Sequence, residues 1–177
     1  MSIQASSAVL AAWKLFLAGA IAVSTSRCLP SQARDALSKH SIAAETNTEI
    51  DLLVRQTHES INQYRAERNL QPLSLNARIN QQAEIHSQNM AQQIVKFSHK
   101  GFKGRVKALE DQIVYRRAAE NIAYNQGYQN PVEKAVLGWI ESEGHHQNIV
   151  GDFNLTGIGV AKNERGEYYF TQIFIKD

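Results

Sequence analysis

Apolar residues recur at intervals of three and four in two early stretches of the chain, which is the spacing of one helix face. The first stretch predicts a helix that starts near Thr48 and ends before Pro72, with Asn47 or Thr48 as its N-cap. The second stretch predicts a helix from Asn76 to about Gln93. The chain therefore begins its ordered part with two amphipathic helices.

A third helix is marked at both ends by residues with strong positional preferences. Asn130 is the predicted N-cap, Pro131 occupies the first helical position, and Glu133 completes a capping box. This helix is predicted to end at Gly144, because glycine accepts the left-handed backbone conformation that often ends a helix. A shorter helix is predicted within residues 104–114.

The last part of the chain has the patterning of β-strands. Segments 155–161 and 167–175 predict a hairpin that is joined by the turn 163–166. Both faces of the second strand are mostly apolar, which indicates that helices cover the sheet on both sides. The pattern predicts an α/β (α+β) fold, a three-layer α-β-α sandwich with a small, mainly antiparallel central sheet.

The N-terminus has a short apolar run, Leu15 to Val23, preceded by Lys14. This run is about half of the roughly 18 apolar residues that a membrane-spanning helix needs, so we expect no lasting transmembrane anchor. Its length is that of the apolar core of a signal peptide. Small residues at the positions that signal peptidase recognises place the predicted cleavage after Ala33, and residues 24–26 are an alternative region.

The predicted organisation is a signal peptide, a linker and one domain. Residues 1–33 are the signal peptide, residues 34–47 are polar without sustained periodicity and form the linker, and residues 48–177 form the domain. The sole cysteine, Cys28, lies in the segment to be removed, so the mature domain has no disulfide. We expect the protein to be secreted or to reside in a bacterial cell envelope.

The net charge of the chain indicates which classes of partner to expect. The chain has 19 basic and 17 acidic residues, and loss of residues 1–33 removes Lys14 and Arg27 but no acid, which leaves equal numbers. A neutral protein lacks the basic patch by which nucleic acids or anionic membranes are usually recognised. We therefore expect no nucleic acid partner.

The polar residues that could carry chemistry are His99, Glu120, His145 and His146. A zinc peptidase helix is excluded because Asn62 replaces the second histidine of the HExxH pattern that His58 begins. The sequence contains no G-x-S-x-G, P-loop or G-x-G-x-x-G motif. What remains is a site of histidine and glutamate.

Five segments of the chain follow the order of a known family. They are Asn62 and Arg65 in INQYR; Phe97-Ser98-His99 with Gly101-Phe102; Ala119 to Ala123 (AENIA); Trp139, Ser142, Gly144, His145 and Asn148; and Tyr169 to Phe174 (YFTQIF). Together they resemble the CAP superfamily of cysteine-rich secretory, antigen 5 and pathogenesis-related proteins, and in particular its secreted bacterial members with an SCP domain. The resemblance covers about residues 48–176.

The resemblance implies a cleft. Its predicted lining consists of His99, Glu120, Asn121, Ser142, His145, Asn148 and Tyr169. In the eukaryotic branch two histidines and two acidic residues in this cleft can bind a divalent metal. His99 and Glu120 match one histidine and one acid, whereas Ser142 and Tyr169 stand where the other two ligands lie. His145 would complete a set of three ligands for zinc or calcium, although we expect the domain to need no cofactor to fold.

Three functions remain open at this point. The first is a noncatalytic module that binds an extracellular lipid, glycan, peptide or protein, and it is favoured because no complete catalytic set is present. The second is a hydrolase of the peptidase or nuclease class, with Glu120 as the base and His99 or a metal stabilising charge. The third is a structural protein of the envelope. A purely structural ion pair between His99 and Glu120 is the alternative to any active site.

Overall fold

The computed structural model describes residues 31–177, which form five helices and four strands. The helices are α1 (Ser31–Ala66), α2 (Ala77–Ala91), α3 (Phe102–Lys107), α4 (Pro131–Glu141) and α5 (Glu143–Ile149). The strands are β1 (Ser74–Leu75), β2 (Arg117–Gln126), β3 (Leu155–Lys162) and β4 (Glu167–Lys176). The predicted signal peptide falls largely on residues 1–30, which lie outside the described residues.

The predicted cap of α4, the predicted start of α2 near Asn76 and the hairpin are confirmed. The Asn76 side chain accepts hydrogen bonds from the backbone N–H groups of Arg78 and Ile79 at the start of α2. Asn130 accepts from the Glu133 N–H at the start of α4. The hairpin of β3 and β4 closes at Gly166, whose φ of 73° is one that glycine adopts readily.

Two helix boundaries differ from expectation. α1 begins at Ser31, so residues 34–47 are helical, which agrees with a segment that contains alanines and neither glycine nor proline. The helix that starts at Pro131 ends at Glu141, because Ser142 takes an extended conformation, and Gly144 lies inside the following helix α5. Whether residues 34–47 act as a linker stays a prediction.

The sheet has the strand order β1-β3-β4-β2. β2 pairs antiparallel with β4, with Glu120 opposite Ile173, and β4 pairs antiparallel with β3. The short β1 pairs parallel with β3, so the sheet is mixed rather than purely antiparallel. β2 was not predicted, and it forms one edge of the sheet.

Helices cover both faces of this sheet, as predicted. On one face α1, α4 and α5 pack against Phe170 and Phe174 of β4. On the other face α2 and α3 pack against Ile173 and Ile175. Alternate residues of β4 thus belong to two separate cores, which is why both of its faces read as apolar. None of the described helices is long and apolar enough to cross a membrane.

Candidate functional site

The candidate site lies at the edge of the sheet that β2 forms. Glu120 projects from β2, His99 lies on the loop between α2 and α3, and His145 lies on α5. The imidazole rings of His99 and His145 have centroids 5.9 Å apart. The fold therefore brings together the three residues that the sequence proposed as a metal set.

The Glu120 carboxylate is almost completely buried and has no free oxygen. Its side chain is 1% exposed. Arg105 binds it with two hydrogen bonds, from Nε to Oε2 at 2.8 Å and from Nη2 to Oε1 at 2.7 Å. Nδ1 of His99 lies 3.0 Å from Oε1, and the His99 side chain is 49% exposed. A two-pronged arginine contact of this kind is the strongest way to hold a buried carboxylate.

Sequence reasoning missed Arg105. It follows the FSH-x-GF segment by three residues and lies on the short helix α3, which begins where Gly101 takes a φ of 85°. A signal was present, because a glutamate that must be buried needs a cation close by, and Arg105 is a guanidinium near His99 in the sequence. The fold is needed to show that the two side chains meet.

These contacts do not fit a divalent metal. Both carboxylate oxygens of Glu120 already accept hydrogen bonds, and the guanidinium of Arg105 places a positive charge where the cation would lie. Within residues 31–177, no three His, Cys, Asp or Glu side chains form a group that could hold a metal ion. A metal site of His99, Glu120 and His145 stays a prediction without geometric support.

His145 lies in the first turn of α5 and not after the end of a helix. Because Gly144 was predicted to end the preceding helix, the predicted position of His145 directly after a helix C-terminus is wrong. Burial, together with the nearby His99, lowers the pKa of His145 below the usual value of a histidine. The ring is held in its neutral form near neutral pH.

Asn121 and Asn148 connect the edge strand to α5. Nδ2 of Asn121 donates to the carbonyl of His145 at 3.1 Å, and Nδ2 of Asn148 donates to Oδ1 of Asn121 at 2.9 Å. Ser142 occupies the N-cap of α5 without a side-chain capping bond. The two asparagines thus position the backbone that carries His145.

Tyr169 belongs to the same sheet face but not to the same cluster. Tyr169 pairs with Tyr124 of β2. Tyr124 is four residues after Glu120, so the two positions are roughly 13 Å apart along the strand. The ring centroid of Tyr169 is 5.1 Å from that of Tyr124, which in turn is 6.3 Å from that of Phe97. The hydroxyls of both tyrosines donate to Glu167. An aromatic cluster of Phe97, Tyr124 and Tyr169 therefore adjoins the histidine site.

The residues of the INQYR segment are structural. Oδ1 of Asn62 accepts from the Leu73 N–H at 2.8 Å while Nδ2 donates to the Leu73 carbonyl at 3.0 Å. Arg65 is buried and donates to four backbone carbonyl groups, those of Gln71, Ile149, Gly151 and Phe153. This pair ties α1 to two distant loops and takes no part in the site.

Comparison with known proteins identifies the family. Residues 58–174 match the family described as the Cysteine-rich secretory protein family, CAP. The chain is 32% identical over 142 residues to the protein YkwD of Bacillus subtilis, a match that covers 75% of this chain and 53% of YkwD. It is thus similar to about half of the length of that relative.

Solved structures agree with this match. An extracellular protein containing an SCP domain from Bacillus anthracis is 27% identical with a TM-score of 0.57, covering 72% of this chain and 41% of that one. An outer surface protein from Borrelia burgdorferi has a TM-score of 0.60 at 16% identity, covering 70% and 92% of the two chains, and shares the fold. The chain belongs to the CAP family of cysteine-rich secretory proteins.

Proposed function

We propose that the protein is an extracellular binding module without catalytic activity, which engages its ligand at the β2 edge. The observation that carries this proposal is the double hydrogen bond from Arg105 to Glu120. A general base needs a free lone pair that points at the substrate, and this carboxylate is buried with both oxygens bound. The group that a hydrolase would have to use is thus part of the scaffold.

The extracellular location is supported by similarity. The related SCP-domain protein from Bacillus anthracis is described as extracellular, and the protein from Borrelia burgdorferi as an outer surface protein. The short apolar segment near the N-terminus agrees with export. The same similarity supports a location in the medium or on the cell envelope.

The surface available to a ligand combines imidazole and aromatic groups. His99 is half exposed, and the neutral ring of His145 beside it can donate and accept a hydrogen bond. Phe97 and Tyr124 expose ring surface next to them. Exposed rings beside a few polar groups suit a ligand with both apolar and polar parts, such as a glycan, a peptide or a lipid.

An NMR titration of the full chain tests this proposal. We would add triacetylchitotriose, trialanine or dihexanoylphosphatidylcholine and follow the backbone amides. The proposal expects one of these probes to shift the amides of His99, Glu120 and His145, with the shifts reduced in His99→Ala and unchanged in Gln56→Ala on α1. Probes that shift none of these amides contradict it, as does a reaction product that is lost in a folded Glu120→Gln variant.

A further inference from the structure

The loop that follows α2 exposes three large apolar side chains within four residues. Ile94, Val95 and Phe97 are 67%, 38% and 49% exposed. Single exposed apolar residues are common on protein surfaces, but a contiguous apolar tip marks a surface that contacts something other than water. We refer to residues 93–97 as the apolar tip.

The apolar tip is held in place by hydrogen bonds at both ends. Gln93, two residues after the end of α2, has a φ of 60°, and the N–H groups of Ile94 and Val95 both donate to the Asn89 carbonyl, at 2.9 and 3.2 Å. At the other end Nε2 of His86 lies 3.0 Å from the Ser98 carbonyl. A left-handed residue that closes a helix in this way fixes the direction of the chain that follows. The side chains are therefore presented to solvent by a fixed backbone.

The region around the tip is basic. Residues 92–109 contain no acidic residue and five basic ones: Lys96, Lys100, Lys103, Arg105 and Lys107. Arg105 is paired with Glu120, whereas the four lysines are exposed. Glu164 lines the same depression as Gln92 and Gln93, but Arg165 lies beside it. The overall neutrality of the predicted domain thus conceals a local excess of positive charge.

We propose that the apolar tip docks the protein onto the surface of an anionic phospholipid bilayer. Ile94, Val95 and Phe97 would enter the boundary between headgroups and acyl chains, while Lys96 and Lys100 would contact the phosphates. Stable attachment to a bilayer needs two signals, and this loop supplies both apolar and basic side chains. A protein partner fits less well, because lysine is depleted in protein interfaces. The apolar tip shares Phe97 with the ligand site of the proposed function, whereas Ile94, Val95, Lys96 and Lys100 do not belong to that site.

Fluorescence quenching by brominated lipid tests the inserted residue directly. Phe97→Trp and Leu137→Trp place a tryptophan at positions of similar exposure, since Leu137 is 46% exposed on α4, which packs against the opposite face of the sheet. Both are made in the full chain, so the native tryptophans contribute equally. With vesicles of phosphatidylcholine and brominated phosphatidylglycerol, we expect extra quenching in Phe97→Trp only. Equal quenching in the two variants overturns the proposal.

The charge requirement is tested by vesicle partitioning. The double variant Lys96→Gln and Lys100→Gln should bind vesicles that contain phosphatidylglycerol at least about fivefold more weakly than the native chain. Arg55→Gln on α1 removes one exposed cation elsewhere and should bind as the native chain does. Unchanged binding of the double variant overturns the proposal, as does equal binding of the native chain to pure phosphatidylcholine. If the protein does not bind vesicles but self-associates, the apolar tip is a contact between copies of the chain. That result also overturns the bilayer proposal.

Discussion

Arg65 shows how much of the fold depends on one buried side chain. Its guanidinium donates to carbonyl groups before β1, at the end of α5 and after α5, and so joins α1 to a segment that is more than 80 residues away. Burial lowers the pKa of Arg65, but an arginine keeps its charge at any physiological pH. The family signature in this helix is therefore explained by packing of backbone groups and not by chemistry.

We predict that Arg65→Lys lowers the free energy of unfolding by about 2 to 4 kcal/mol. A lysine presents one ammonium group and cannot reach four carbonyls in the plane of a guanidinium, so buried acceptors lose their donors. Urea unfolding measures the loss. Arg68→Lys, on the exposed surface of the same turn, should change stability by less than about 0.5 kcal/mol. Equal effects of the two changes would contradict this account.

His145 predicts a pH dependence of stability. Burial and then His99 lower its pKa in the folded state, whereas in the unfolded chain it protonates near pH 6.5. Below about pH 6.5 the unfolded state binds the proton more readily, so stability falls as the pH falls through the folded pKa. His86 acts in the same direction, chiefly through burial. Between about pH 7 and 5, the His145→Gln variant should lose less stability than the native chain, as measured by the urea concentration at the midpoint of unfolding. The same change of midpoint with pH in both proteins would contradict this contribution of His145.

At the residue scale the sequence could nominate His99, Glu120 and His145, and the contact between His99 and Glu120, but not the contact of Glu120 with Arg105. The local pattern around Glu120 and His99 carries the resemblance, so both were found. The partner Arg105 was missed because its contact depends on where α3 places it against β2. The predicted position of His145 was wrong because one extended residue, Ser142, divides the predicted helix into two helices.

At the element scale, α2 approaches β3 more closely than any side chain would permit. A Cβ atom at Gly157 would lie 2.2 Å from the backbone of Ile79, and one at Gly159 would lie 2.1 Å from the backbone of Glu84. These glycines let the helix rest directly on the strand. The close approach also fixes where α2 lies on the sheet, and with it the position of the loop that carries His99.

Gly159→Ala should therefore destabilise the protein by about 3 kcal/mol or more, because backbone atoms must move apart to admit the methyl group. Gly138→Ala is the matched control. That glycine is exposed inside α4 with no atom near its added Cβ, and alanine there should stabilise the helix by up to about 1 kcal/mol. Thermal unfolding compares the two. A similar small effect of both substitutions would show that the helix and strand are not packed this tightly.

Sequence patterning failed to predict β2, the long strand at one edge of the sheet. Its residues include Ala, Glu and Asn, which are poor strand formers, so its period of two is weak. The strand is formed by its pairing with β4 and by contacts from the helices that cover its edge. Nε1 of Trp139 donates to the Ile122 carbonyl at 2.8 Å, and Nδ2 of Asn148 lies 3.4 Å from the Glu120 carbonyl. Such tertiary contacts are not visible in a local window of sequence.

At the scale of the whole molecule, the sandwich and its two cores could be predicted because the hairpin is apolar on both faces. The distribution of charge could not be predicted from its sum. The total is close to neutral, yet Lys96 and Lys100 lie on the same loop as the apolar tip, and Lys103 and Lys107 lie on the helix α3 that follows this loop. The positions of α2, α3 and β2 decide where this loop and the His99 site lie.

We propose that Glu120 belongs to the scaffold of the domain, and urea unfolding of the full chain with and without zinc tests this proposal most directly. We predict that Glu120→Gln is less stable than the native chain by about 3 kcal/mol, because Arg105 is left without its buried partner. Zinc should leave both unfolding midpoints unchanged. The exposed control Glu141→Gln should lie within about 0.5 kcal/mol of the native chain. A Glu120→Gln variant as stable as the native chain, with zinc stabilising only the native chain, would contradict the account and identify a metal site.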